Sequence, residues 1–108
     1  MMRPLALAPL VLLAATMVSG HGTYDWIRTG GYIGQDNIRC CGANDCSEIA
    51  SADVSYTANG WEVVHRNRLY RFTAGAKGVY YSEDGHYYIC WNQMTQQPRC
   101  FFHLEAGT

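Results

Sequence analysis

Three of the five cysteines fall within the seven residues Cys40-Cys41-Gly42-Ala43-Asn44-Asp45-Cys46, and the other two, Cys90 and Cys100, stand near the C-terminus. Sulfur this concentrated limits the fold to conformations in which these positions can meet. Cys90 and Cys100 flank a hairpin and can face each other across it, which puts Tyr88 and Phe102 on their face. A bridge there closes a loop of eleven residues and stabilises by roughly 2.5–3 kcal/mol on chain-entropy grounds. In an extended segment Cys40 and Cys41 point opposite ways, so one reaches Cys46 locally while the other points into the body or at solvent. Bridges from Cys40 or Cys41 to Cys90 or Cys100 are the competing connectivity, and spacing does not choose between them. The odd count leaves one thiol that is free, joins two chains, or holds a ligand.

The front of the chain points to the compartment where such bridges form. Met1-Met2-Arg3 is a short positive start, Leu5 to Val18 is apolar, and Val18-Ser19-Gly20 offers small residues at a cleavage site. Residues 1–20 therefore read as a signal peptide, and of 108 residues 88 remain once it is removed. A chain of that size buries a modest core and gains from staples. All five cysteines and all fourteen Phe, Trp and Tyr residues lie in this remainder. An oxidising location, periplasmic or secreted, follows as the expectation. The formal charge of −1 for the whole chain gives no basic surface, so nucleic acid is not an expected partner. No later segment is long and apolar enough to cross a membrane.

The remainder divides into an arm with the cysteine knot (residues 21–46), a β-rich body (47–104) and a tail (105–108). Thr23 to Thr29 reads as a helical turn capped by Thr23, with Asp25 at its positive end and Gly30-Gly31 stopping it. Ser47 to Asp53 is polar and small, at most a turn of 3₁₀ helix. Alternation then predicts strands over Asp53–Thr57, Trp61–His65 and Arg68–Phe72, with turns at Asn59-Gly60 and Arg66-Asn67. Val79–Tyr81, His86–Trp91 and Arg99–His103 are further strands by composition. The expected fold is mainly β: a small antiparallel sheet, or a partly open SH3-like barrel, with a short N-terminal helical arm and disulfide staples.

No catalytic constellation is present. Gly30-Gly31-Tyr32-Ile33-Gly34 lacks the lysine of a phosphate loop, and there is no Gly-X-Ser-X-Gly elbow. The cysteine spacings are not the Cys-X-X-Cys of redox catalysis. Glu48, Asp53, Glu62 and Asp84 read as solvated, and His65, His86 and His103 as ordinary surface or turn histidines. Two binding chemistries remain. Trp61, Trp91, Tyr80 and Tyr87, with Tyr81 and Tyr88, exceed what a small core needs, and neighbouring tyrosines in a strand must face opposite ways. One face therefore shows rings either to the arm or to a protein or glycan partner. The alternative is a copper or zinc site, with Cys40, Cys41 and Cys46 as soft ligands and His21 chelating through its amine and ring at the mature terminus. The first reading needs no cofactor. The chain is expected to be a monomer or a disulfide-linked dimer.

The segment His21 to Trp26, the Cys40-Cys41-Gly42 and Asp45-Cys46 ends of the knot, Asp84-Gly85-His86-Tyr87-Tyr88 with Cys90, and Arg99-Cys100-Phe101-Phe102 together resemble a group of small exported proteins of Gram-negative bacteria with no assigned activity. The resemblance implies secretion and a disulfide framework, and it transfers no substrate or catalytic residue.

Overall fold

A computed structural model of the chain describes residues 25–40 and 45–106. The expected signal segment 1–20, His21, Thr23, residues 41–44 of the knot and the last two residues of the tail lie outside these. The arm opens with helix α1 (Asp25–Thr29), which ends at Gly30 and at Gly31, whose φ of +78° suits the residue beyond a helix end. Seven strands follow: β1 (Cys46–Ile49), β2 (Val54–Thr57), β3 (Gly60–His65), β4 (Arg68–Phe72), β5 (Val79–Tyr81), β6 (Tyr87–Asn92) and β7 (Gln97–His103). A 3₁₀ turn at Ser51–Asp53 leads into β2.

The strands make two sheets rather than one curled sheet, and no barrel closes among the described residues. Strands β2-β3-β4 form an antiparallel meander, while the second sheet has the order β1-β6-β7-β5, with β5 parallel to β7. The reason lies in β6 and β7, which are apolar on both faces and buried along most of their length. Both faces of such strands need cover. Ile49, Tyr87, Ile89, Trp91 and Phe101 face the meander and pack with its Trp61, Val63 and Phe72. Tyr88, Cys90, Cys100 and Phe102 face the other way and pack with Ile27, Cys40, Trp26 and Tyr32 of the arm. The fold is thus three layers with the four-stranded sheet in the middle.

The bridges follow from this layering. Cys90 and Cys100 are opposite partners on β6 and β7, and Tyr88 is opposite Phe102. They nevertheless do not bridge to each other: Cys46 joins Cys90 and Cys40 joins Cys100. Strand β1, unforeseen because Ser47 and Glu48 are polar, runs beside β6 and sets Cys46 directly opposite Cys90. The arm supplies Cys40 to β7. Each sulfur therefore bonds outward and ties an outer element to the central hairpin.

The first meander turn sits one residue earlier than the sequence suggests. Thr57 pairs with Gly60, so Ala58 and Asn59 make the loop, and the Asn59 amide donates to the Thr57 hydroxyl at 3.1 Å. Gly60 has φ of +117°, and a Cβ there would stand 2.5 Å from the carbonyl oxygen of Phe72. Gly60→Ala is expected to destabilise by about 2 kcal/mol, since backbone strain and a backbone clash act together. A urea melt checks this; an unchanged midpoint would show that the strand edge yields freely.

Candidate functional site

Two rungs of paired residues, one from each sheet, come together at one end of the sandwich. Tyr56 and Trp61 are opposite partners on β2 and β3, with ring centroids 4.8 Å apart. Tyr81 and His103 are partners on β5 and β7, with rings 4.7 Å apart. His103 stacks on Trp61 at 4.5 Å and 25°, so the four rings form a continuous series. The Thr73–Gly78 loop, closed by the bond from the Ala76 amide to the Thr73 carbonyl, lays Ala74 and Gly75 along the side.

The result is a groove of about 410 Å³, lined also by Val79, Tyr80 and Ala106. Its rim is wet and its floor is dry: Tyr81 is 63% and Tyr56 49% exposed, against 3% for Trp61 and 7% for His103. No residue of the lining carries a formal charge at neutral pH. Burial pulls the His103 pKa below its ordinary value, partly opposed by the bond to the Leu104 carbonyl. That carbonyl lies 2.8 Å from Nδ1 and can only accept, so Nδ1 carries the hydrogen and the neutral ring has Nε2 as an acceptor. Rings of amphipathic character around a neutral acceptor suit a ligand with an apolar face and hydroxyl edges.

Among the surplus rings expected from sequence, Trp61, Tyr80 and Tyr81 line this groove. Trp91 and Tyr87 do not, being only 5% and 7% exposed between the sheets. Tyr87 packs on Trp61 and Phe101, and Trp91 meets Tyr70 edge-on at 5.3 Å. Most of the surplus of rings is core because the central sheet needs filling on both faces. Tyr80 is tied to the arm, its hydroxyl donating to the Ile33 carbonyl at 2.7 Å and accepting from the Ile33 amide at 3.3 Å. Tyr56 has no place among the rings expected from sequence, and His103, expected at the surface or in a turn, is buried.

The metal alternative loses two of its four ligands. Cys40 and Cys46 are disulfide-bonded and offer no thiolate. His21 and Cys41 lie outside the described residues, among which no group of three or more His, Cys, Asp or Glu side chains is placed to hold a metal. Four of the five cysteines are used, so Cys41 has no other cysteine of its own chain to pair with.

The arm is held by carboxylates. Asp84, read as solvated from sequence, accepts from Trp26 Nε1 at 3.0 Å, Tyr88 hydroxyl at 2.6 Å, and the Ser82 hydroxyl and His86 amide at 3.1 Å each. Burial alone would raise its pKa, but these donors outweigh it and hold the carboxyl below its ordinary range. Asp36 is likewise lowered: burial raises it, and the bonds from Arg99, Asn92 and the Ile38 amide more than reverse this. Nearby, burial and the bond to Glu83 push the Tyr32 phenol up to about 12. Because both aspartates bind protons less readily folded than unfolded, their stabilisation is full above the usual carboxylate pKa and is lost as pH falls through the folded value. The arm is therefore expected to loosen below about pH 4, read as a red shift of Trp26 emission. Asp84→Asn should remove roughly 2 kcal/mol at neutral pH, the range for hydrogen bonds to a charged acceptor, and flatten that acid response. An acid response identical to that of the unaltered chain would show that the latch lies elsewhere.

Comparison of the chain with protein-family models, with curated proteins and with solved structures finds no match.

Proposed function

We propose that this chain is an exported, non-enzymatic binding module that holds an uncharged, ring-bearing ligand, a glycan, in the groove between Tyr56 and Tyr81. The observation that carries this reading is the charge-free aromatic groove with a dry floor and a wet rim. A sugar ring presents an apolar C–H face and a hydroxyl edge. The tyrosine faces match the first, and the tyrosine hydroxyls and His103 Nε2 match the second. The two disulfides support an oxidising compartment, the setting in which a domain this small gains most from staples.

The test is a titration with neutral oligosaccharides, followed by tryptophan emission and calorimetry. Tyr56→Ala and Tyr81→Ala should each weaken binding by up to about tenfold, the scale of one aromatic contact. Both rings are largely exposed, so the fold should tolerate their loss. Affinity should be constant down through the ordinary histidine range of about pH 6.5 and fall only at lower pH, because burial holds the His103 pKa below that value before the ring gains a proton and the groove a charge. Absence of saturable binding, or binding indifferent to both substitutions, would remove the groove as the site.

A further inference from the structure

We propose that the turn end of the β3–β4 hairpin binds a doubly charged tetrahedral oxyanion, that of a phosphate group, between Arg66, Arg68 and His65, independently of the groove. His65 and Arg68 are opposite partners on β3 and β4, so both side chains leave the inner face of the meander. That face meets Trp91 at the end of β6. The His65 ring lies 5.7 Å from the Trp91 ring and the Tyr70 ring 5.3 Å from it. The Arg66 guanidinium stands 5.5 Å from the centroid of Trp91, and that of Arg68 5.8 Å from Tyr70. Trp91 is itself pinned, its indole N–H donating to Gln96 Oε1 at 3.3 Å. One fixed aromatic pair therefore gathers two guanidinium groups and an imidazole. Rings that hold the faces of the guanidinium groups leave their in-plane N–H donors for oxygen acceptors.

No counter-charge comes from the chain. Arg28, Arg71 and Arg99 are matched by Asp25, Glu62 and Asp36. Arg66 and Arg68 are exposed, and among the described residues neither forms an ion pair. Residues 63–72 contain no carboxylate. Glu62, the nearest along β3, is taken by Arg71 at 3.0 Å on the outer face. From the facing sheet Asp45 comes close to Trp91 through its backbone, its carbonyl accepting from the Trp91 amide at 2.7 Å, and it makes no ion pair with either arginine. The only other titratable group on this part of the inner face is the Tyr70 phenol.

Like charges gathered in this way repel until an anion joins them. A carboxylate answers one arginine with a single charge, whereas a phosphate group carries nearly two and has oxygens for both guanidinium forks. The turn itself favours this reading. Arg66 and Asn67 have φ of 53° and 64°, where glycine or asparagine is the usual occupant, so the first arginine is kept there against local preference. Burial, and then the charge of Arg66, hold the His65 pKa below its ordinary value. An anion seated among the three side chains offsets the second of these causes. The free ion and a phosphate monoester on a larger molecule share this chemistry.

The first probe is inorganic sulfate against chloride at matched ionic strength, read by calorimetry and by the His65 ring protons in NMR. Sulfate keeps its double charge throughout the histidine range, so any pH dependence belongs to the protein. Saturable binding of sulfate alone is expected, with a rise in the His65 pKa. By linkage, affinity should then increase as pH falls through that pKa. Arg66→Asn suits the turn and Arg68→Gln lies on an exposed strand position, so both variants should fold. Each should weaken binding by about fivefold, the upper scale of an exposed charge pair, and the double variant should respond to sulfate no more than to chloride. Inorganic phosphate and glucose 6-phosphate, compared at about pH 8 where both are mostly dianions, separate the sources. Equal or weaker binding of the ester assigns the site to the free ion, and tighter binding assigns it to an esterified group. Chloride as effective as sulfate, a His65 pKa that does not move, or a double variant that still binds would overturn the proposal.

Discussion

Replacing Cys40 and Cys100 together by alanine is expected to lower the unfolding temperature by about 20 °C. The bridge spans a sequence separation of 60 residues. Cutting a loop of that length returns entropy to the unfolded chain worth about 4 kcal/mol, and for a domain this small each kcal/mol moves the midpoint by about 4–8 °C. Both cysteines are fully buried, so the lost sulfurs also leave space beneath Phe102 and Tyr88. Cys41→Ser is the control, because the other four cysteines are paired with one another, and its midpoint should not move. A drop of under about 5 °C in the double variant, by calorimetry, would mean that the arm is held by its hydrogen bonds rather than by the bridge.

Phe101→Ala is expected to destabilise by about 4 kcal/mol, within the range for truncating a buried aromatic. Phe101 is fully buried where the two sheets meet. It stacks on Phe72 of the meander at 4.8 Å and on Tyr87 of its own sheet at 6.2 Å, and it touches Trp61 at 5.9 Å. Removing it empties the junction between sheets and withdraws the support beneath the groove floor. Phe101→Leu keeps most of the volume and should lose about 1–2 kcal/mol, as a buried hydrophobic exchange does. Chemical denaturation gives both values, and equal losses for Ala and Leu would show that ring stacking rather than filling matters there.

The meander was legible because its signals are local. Alternating Val54, Tyr56, Trp61 and Val63 and the turn residues between them fix which face turns inward. The central sheet was legible only in its strands. That β6 and β7 need cover on both faces follows from Tyr87-Tyr88 and Phe101-Phe102, whose side chains must point opposite ways. Which cover each face receives depends on pairings far apart in sequence. Strand β1 escaped for the same reason: Ser47 and Glu48 have weak strand preference, and the segment is extended because Cys46 meets Cys90 across β6. The groove was half legible. Trp61 and Tyr80 stood out as aromatic residues in strong strands, but Tyr81 and His103 become neighbours only because β5 lies parallel to β7. Parallel pairing of two short strands leaves no turn signal between them.

The parallel placement of β5 also fixes an order of assembly. As the chain lengthens from its N-terminus, the β2–β4 meander meets all of its own partners within one short span. Nothing else does. Cys46 waits for Cys90, Cys40 waits for Cys100, and β5 has no neighbour until β7 arrives with its last residues. The closures that need β7, the Cys40–Cys100 bridge and the seating of β5, therefore fall due only when residues 97–103 become free to enter the sheet. A chain stopped short of them is an intact meander trailing unpaired sulfur, in the form most open to capture by another such chain.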